Sequence, residues 1–593
     1  MRLAQESMSV LAKKSVGTCE AESWLQDHDR LAATVVLLLG LLARLWAASG
    51  TFLNPDEALH FRLANQLSLA LAYNESLTAS HPPLLTVILY FWRAFGTSEL
   101  WLRLPSVFAG VVFAWMFYKW MSQAAGRLAG LIGLLFVAFL PPIVLLSAEI
   151  RQYALLLAFL AGALHFLDDA LAKKSIGGML AFSVCLDLAM LCHYSAFLFA
   201  GALGIYALVK IFAGCIPAGL TTAWVVGQLG ALALAVLLYK THLAKLGAGE
   251  SRTVLQGWMS EFFLRRSYFE PGRDHPLLFV ISRSFGVFQF VFGQLAVGDL
   301  AGLLFIAALV FLTRERGQQT DISSAAPRQL ALFLVLAFAF ACGASLAHYY
   351  PYGGTRHSAM LVIPALAGVS IAVAQLARGL WNRGIAVAAL IVVLCVVFGK
   401  QHQPYVQRAE QSRIHMIAAI DWIRQNAQPS DVVFTDYESE LILGHYLCRQ
   451  RPISLEESNP DFDVFPCDGV RVVSASYRTA TLFDARSFIS SWNRLVQTDG
   501  LKEGTSVWIF QAGWNVDLPE DLRSHFAEFR NIRVESFGRN IKIFKLTVGQ
   551  PVPAITTAAS QFRAGRFSPN ARKVISSGTL RPFSFVTTPK LPE

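Results

Sequence analysis

From residue 31 to about residue 400 the sequence repeats one pattern: an apolar run of near twenty residues, then a short polar or basic break. About twenty helical residues cross the ~30 Å hydrocarbon core of a bilayer with every backbone N–H and C=O bonded internally. Such runs fall near 31–49, 102–121, 128–147, 152–172, 176–194, 196–213, 222–240, 295–313, 329–347, 358–377 and 384–399. They predict a polytopic α-helical membrane protein of about eleven spans. Only 15% of residues are charged, against near 25% in an average soluble domain. The net charge of +10 then suits cationic loops meeting anionic lipid rather than a nucleic-acid partner, and no nucleic-acid-binding motif is present.

Basic residues orient the spans. Lys119 with Arg127, Lys173-Lys174, Lys210, Arg314 with Arg316, and Arg378 with Arg383 all fall in loops on the side of the N-terminus. That side is read as the cytoplasm, with 1–30 as a cytoplasmic tail. The first apolar run shows no small-residue cleavage site and is read as a retained helix. Residues 50–101, 147–151, 241–294, 348–357 and everything beyond 400 then lie outside. The 241–285 segment breaks the charge pattern with Arg252, Arg265, Arg266, Arg273 and Arg283. Long loops translocate regardless of charge, and these arginines are either a solvated face or a surface for an anionic lipid.

Within 50–80, Leu63, Leu67 and Leu71 with Ala64 and Ala70 suggest an interfacial helix, and Leu84 to Phe95 a second one, started by Pro82-Pro83. Beyond 400 the period changes. Ile414, Ile417, Ile420 and Ile423 read as one helix face, and Val432 to Thr435 as a buried strand. Helix-like and strand-like stretches then alternate over 438–447, 452–455, 470–475, 480–497, 506–512, 530–536 and 540–547, predicting a small soluble α/β domain over 401–549. Residues 550–593, rich in Pro, Ser, Thr and Ala, read as a disordered tail. Cys448 and Cys467 lie in the polar part and are expected to pair if it is extracytoplasmic. No cysteine or histidine spacing suggests a metal.

Four polar clusters interrupt the apolar chain, all on the outer side. Asn54-Pro55-Asp56-Glu57 places two carboxylates at the mouth of the first span. Successive residues on a helix diverge by about 100°, so one of the pair faces a site. Asp56 is assigned as general base on an acceptor hydroxyl or amine and Glu57 as its positioning partner. His81 opens a helix, where free N–H groups suit an anion. Glu149-Ile150-Arg151-Gln152-Tyr153 joins two spans; Glu149 and Arg151 form a mutual ion pair or, alternatively, bind phosphate through the guanidinium fork. The fourth cluster is His348 to Ser358, where Gly353-Gly354 allows close backbone approach beside Arg356 and His357. Asp187 and Asp299 are weaker candidates within or beside spans.

These residues resemble a family. Asp-Glu in the first outer loop, His-Pro-Pro-Leu downstream, and Ala148-Glu149-Ile150-Arg151-Gln152-Tyr153-Ala154-Leu155-Leu156 are similar to glycosyltransferases of the GT-C fold. The subset resembled is family 39, with protein O-mannosyltransferases and lipid A aminoarabinose transferases. The resemblance covers roughly 31–400. It implies a polyprenyl-phosphate-sugar donor, inverting transfer at the outer face of a bacterial inner (plasma) membrane, and a periplasmic or extracellular C-terminal domain. Asp56 would be the base; His81, Glu149, Arg151, Tyr153, Arg356 and His357 would line the lipid-phosphate and substrate site. The acceptor is a hydroxyl of protein, lipid or glycan. No cofactor is expected; some GT-C members use a divalent metal, but family 39 chemistry does not generally need one. One departure is Ser80-His81, where the aminoarabinose transferases have Glu-Lys before Pro-Pro. A transporter or flippase of a lipid-linked saccharide is the alternative, for which Asp187 speaks and the lack of an internal repeat speaks against. A ligase of the O-antigen type fits the early Asp-Glu less well.

Overall fold

The structure is a computed structural model. It describes residue 23 and residues 26–549, apart from 215, 245–263, 265, 315–326, 400–402, 429–430, 449–460, 468, 477–479, 481, 499–500 and 515. The expected disordered tail at 550–593, the stretch 452–455, and Arg252 and Arg265 lie outside the described residues.

The membrane part is helical: α1 (Asp29–Ala48), α2 (Pro55–Ala64), α3 (Leu69–Ser76), α4 (Leu84–Trp92), α5 (Glu99–Ala125), α6 (Arg127–Phe139), α7 (Pro141–Leu146), α8 (Tyr153–Lys173), α9 (Ile176–Cys192), α10 (Ser195–Ala213), α11 (Ala218–Leu238), α12 (Pro276–Phe292), α13 (Leu295–Arg314) and α14 (Pro327–Leu346). A 3₁₀ turn at Arg356–Leu361 runs into α15 (Val362–Leu376), and α16 (Trp381–Phe398) ends the bundle. Among the described residues, nine helices are long and apolar enough to span a membrane. Two of the eleven expected spans fall instead on shorter helices, Arg127–Phe139 and Ile176–Cys192. The segment 241–294, read above as loop, contains α12; Arg283 divides its apolar run, which hid it. The single amphipathic helix expected over 50–80 is two helices, α2 and α3, broken at Asn65–Ser68.

Polar side chains satisfy the backbone carbonyls that prolines leave unpaired. Pro141 and Pro142 lack the N–H groups that would bond Val137 and Ala138 four residues back. Arg44, on α1, donates to both carbonyls, at 2.7 Å and 3.1 Å. Pro105 likewise frees the carbonyl of Trp101, which accepts from the Trp92 indole at 2.8 Å.

The C-terminal part begins with α17 (Pro404–Glu410) and α18 (Arg413–Asn426), followed by β1 (Val432–Thr435), α19 (Tyr437–Tyr446), β2 (Phe462–Cys467), β3 (Val470–Ala475), α20 (Ala485–Thr498), β4 (Ser506–Ala512), α21 (Leu518–His525), β5 (Val534–Ser536) and β6 (Ile541–Thr547). The sheet order is β2-β3-β1-β4-β6-β5. β1 pairs in parallel with β3 (Val432 opposite Arg471) and with β4 (Val432 opposite Val507); the other pairs are antiparallel. Cys448 and Cys467 are disulfide-bonded, tying the end of α19 to β2.

Side chains alternate across a strand. Val432, Phe434, Val507 and Ile509 face α20 and α21 in a core of their own. Val433, Val472, Phe510 and Ile543 join the large core that continues into the membrane helices. The expected isoleucine face on α18 is half right: Ile420 and Ile423 are buried, whereas Ile414 is 76% exposed and Ile417 43%. At 3.6 residues per turn a spacing of three drifts by about 60° each step, so Ile414 points away from Ile423.

Candidate functional site

The local sequence explains the shape of the Asp56 segment. Asn54 caps α2: its side chain accepts from Glu57 N at 3.0 Å, and Glu57 returns the bond to Asn54 N at 3.1 Å. Pro55 occupies the first turn, where its missing N–H leaves nothing unpaired. The two carboxylates therefore diverge. Glu57 is fully buried and faces Arg103, which donates to Oε1 through Nε and to Oε2 through Nη2, both at 2.7 Å. Arg103 also donates to the carbonyls of Ala48, Thr51 and Phe52. Glu57, read above as the positioning partner of Asp56, points away from Asp56. It accepts from Ile150 N at 2.9 Å and so fixes the loop that carries Arg151.

Asp56 turns to the other side. Its Oδ2 is ion-paired with Arg151 and accepts from Arg356 Nη2 at 2.8 Å. Arg151 is buried, and its backbone carbonyl accepts from Ser106. Burial and then the charge of Arg356 push the Arg151 pKa well down. Glu149 lies 3.9 Å from Arg151 Nε and accepts from Gln407 at 2.9 Å. Burial, then the Glu57 carboxylate, push its acid up to about 7. The Arg151 and Arg356 side chains thus converge on the Asp56 carboxylate, with Glu149 beside them.

Histidines and tyrosines surround this pair. His81 stacks on His193 at 5.5 Å between ring centroids and lies 5.9 Å from His60. Burial, then neighbouring imidazoles and Arg356, hold His81 well below the usual histidine range. Burial and Arg356 lower His60 to about 4. Tyr153 packs 5.3 Å from His193, and Tyr350 donates to the His357 carbonyl at 3.0 Å. Gly354 lies against the Gly286 carbonyl on α12, 2.4 Å from where a Cβ would be, so only glycine fits there. Several buried polar atoms around the recess have no hydrogen-bond partner among the described residues: His81 Nδ1, both side-chain amide atoms of Gln152, Thr355 Oγ1, His357 Nδ1 and Ser358 Oγ. Buried polar groups are rarely left unpaired, so these atoms are open to water or to a polar ligand. Among the described residues, no three His, Cys, Asp or Glu side chains are arranged to hold a metal.

All eight residues read from the sequence are thus located. Asp56, Arg151 and Arg356 are in direct contact, Glu149 is beside them, and His81, Tyr153 and His357 belong to the histidine–tyrosine cluster; Glu57 faces away. Asp299 accepts from Gln289 at 2.6 Å, and Asp187 Oδ1 is unpartnered on α9, which carries none of these groups. Sequence reasoning missed Arg103, His60 and His193, and the C-terminal domain's contribution. Arg103 had a signal: an arginine inside an apolar run. The domain's Trp514 lies under the Arg356 guanidinium, 5.9 Å from ring centroid to Cζ.

Residues 80–239 match the family model described as dolichyl-phosphate-mannose-protein mannosyltransferase. The structure is similar to that of ArnT from Cupriavidus metallidurans bound to undecaprenyl phosphate, with a TM-score of 0.50 and 14% identity, covering 90% of this chain and 100% of that one. An Archaeoglobus fulgidus oligosaccharyltransferase tethered with an acceptor peptide matches at a TM-score of 0.45 and 10% identity, over 83% of this chain and 70% of that one. No curated protein matches the sequence significantly. The chain has the GT-C fold, an integral membrane bundle with a C-terminal sheet domain, and a protein-mannosyltransferase-like segment lies within the bundle.

Proposed function

We propose that this protein transfers a sugar from a polyprenyl-phosphate-linked donor to an acceptor hydroxyl, with inversion, at the outer face of the plasma membrane. The observation that carries the reading is Asp56 held between Arg151 and Arg356 in a recess ringed by unpartnered polar atoms. The likeness to ArnT, a protein bound to undecaprenyl phosphate in its structure, supports a polyprenyl phosphate ligand.

The chemistry follows from the charges. An arriving phosphodiester competes with Asp56 for the two guanidiniums. As they turn to phosphate, Asp56 loses the cations that depress its basicity. Its carboxylate takes the acceptor's proton, the acceptor oxygen attacks the anomeric carbon from the face opposite the phosphate, and the bond from that carbon to the phosphate oxygen breaks. The electron pair stays on the phosphate, whose added negative charge is stabilised by Arg151 and Arg356. A single displacement inverts the anomeric centre. His81 and His357 supply hydrogen bonds from the recess wall, and Glu57 with Arg103 holds the loop in register.

The test is transfer of labelled sugar from polyprenyl-phosphate-sugar in reconstituted vesicles. Asp56→Asn is expected to lower kcat at least about 10²-fold, the usual contribution of a general base, while the donor binds no more weakly, because the carboxylate that competes for Arg151 and Arg356 is gone. Full activity in that variant would remove Asp56 as the base.

A further inference from the structure

The C-terminal domain reaches the Asp56–Arg356 cluster directly. α19 packs along α2, the helix that carries Asp56. Arg62 donates to Glu440 at 2.8 Å, Leu53 N donates to Tyr446 OH at 3.0 Å, and that hydroxyl donates to Glu99 at 2.9 Å. Gly513, at φ +119°, sits where a Cβ would be 2.9 Å from the Pro55 ring, so the loop after β4 rests on the residue next to Asp56. Its neighbour Trp514 reaches Arg356.

Three acidic side chains crowd the start of α19. Asp436 caps the helix, accepting from Ser439 N at 2.8 Å and from Phe483 N at 3.2 Å. Glu440 pairs with Arg62. Glu438, between them, is only 5% exposed, and its Oε2 has no hydrogen-bond partner. A buried carboxyl oxygen without a partner is costly, and no group among the described residues of the domain bonds it. Ile442, one helical turn on from Glu438, lies 3.5 Å from where a Gly513 Cβ would be, so this face of α19 borders the loop whose Trp514 reaches Arg356.

We propose that Glu438 is a sugar-binding residue: the C-terminal domain supplies a carboxyl group that hydrogen-bonds a hydroxyl of the donor's sugar. The inference rests on the glycosyl-transfer reading above. The sugar is favoured over the acceptor because the loop beside this face of α19 carries Trp514 to Arg356 in the proposed phosphate site, and the sugar is bonded directly to that phosphate. Burial, then the Asp436 carboxylate, raise the Glu438 acid well above its usual range, and a neutral acid can both donate to and accept from a hydroxyl.

The experiment measures binding to the full-length protein in nanodiscs. Its probes are undecaprenyl phosphate and undecaprenyl-phosphate diesters of mannose, glucose and aminoarabinose. Wild type is expected to prefer one diester over the bare lipid phosphate by tenfold or more. Glu438→Leu is expected to abolish that preference while binding undecaprenyl phosphate as wild type does, a result that a folding defect would not give. Glu438→Gln keeps the hydrogen-bonding shape and is expected to retain the preference within about threefold. Retention of the full preference in Glu438→Leu overturns the inference, as does equal binding of all four lipids by wild type or loss of undecaprenyl phosphate binding in Glu438→Leu. Wild type binding none of the lipids would instead overturn the transferase reading, and the inference with it.

Discussion

The buried pair of Glu57 and Arg103 invites the sharpest perturbation. Both side chains are sealed from solvent, at 0% and 1% exposure. The guanidinium makes two 2.7 Å bonds to the carboxylate and three more to backbone carbonyls, of which the shortest, to Ala48, is 2.8 Å. Arg103→Leu leaves a buried carboxylate with only the Asn54 and Ile150 N–H groups as partners. Removing one member of a buried pair costs about 3–5 kcal/mol, whereas replacing both costs far less than the sum. Glu57→Gln should cost a similar amount, since it leaves the cation uncompensated. The double variant should recover about 2–3 kcal/mol as coupling energy. The assay is equilibrium unfolding in mixed micelles across the four-member cycle. Transfer should also fall in each single variant, because Glu57 Oε1 holds Ile150 and so aims Arg151; a displacement of ~1 Å at such a site can cost about 10²-fold in rate. Strict additivity of the two costs would refute the claim that the residues act as one unit.

Two further outcomes follow from the geometry. Gly354→Ala puts a methyl group 2.4 Å from the Gly286 carbonyl oxygen, so the Thr355-Arg356-His357 turn must shift; transfer is expected to fall at least tenfold, and unchanged kinetics would show that Arg356 is not placed by this contact. Glu149, pushed up to about 7, becomes neutral as pH falls through that value, and a neutral Glu149 competes less for Arg151. Binding of an undecaprenyl-phosphate-sugar diester, whose own charge is constant there, should tighten from pH 8 to pH 6 and level off below; Glu149→Gln should bind as tightly as the low-pH wild type at every pH, and a retained slope in that variant would assign the effect elsewhere.

The membrane architecture was legible because its signal is one-dimensional: an apolar run long enough to span reports itself without reference to any other residue. The site clusters were legible for the complementary reason, since Asp56, Arg151 and Arg356 are charges at the ends of such runs, where charge must be accounted for. Neighbours in space were not legible. The divergence of Asp56 and Glu57 follows from helix geometry, but that Arg103 sits under Glu57 depends on how α5 packs on the segment after α1. α12 was missed because Arg283 interrupts an apolar run of seventeen residues. The break between α2 and α3 was missed because the leucine spacing continued through it.

The C-terminal domain shows the same limit and changes how the site is understood. α2 has ten residues and a mixed surface, and isolated helices shorter than about 12–15 residues are marginal. It is ordered by what lies on either side: Arg103 beneath, and α19 above through Arg62 with Glu440, residues 378 positions apart in sequence. The Glu440 side chain is 1% exposed, so loosening this contact strands a buried carboxylate and is costly. Asp56, the helix that presents it and the domain packed on that helix are therefore one energetic unit. A reading that ends the catalytic machinery at residue 400 divides that unit in two, although the sequence changes character there, because the charges that join the halves belong to neither pattern.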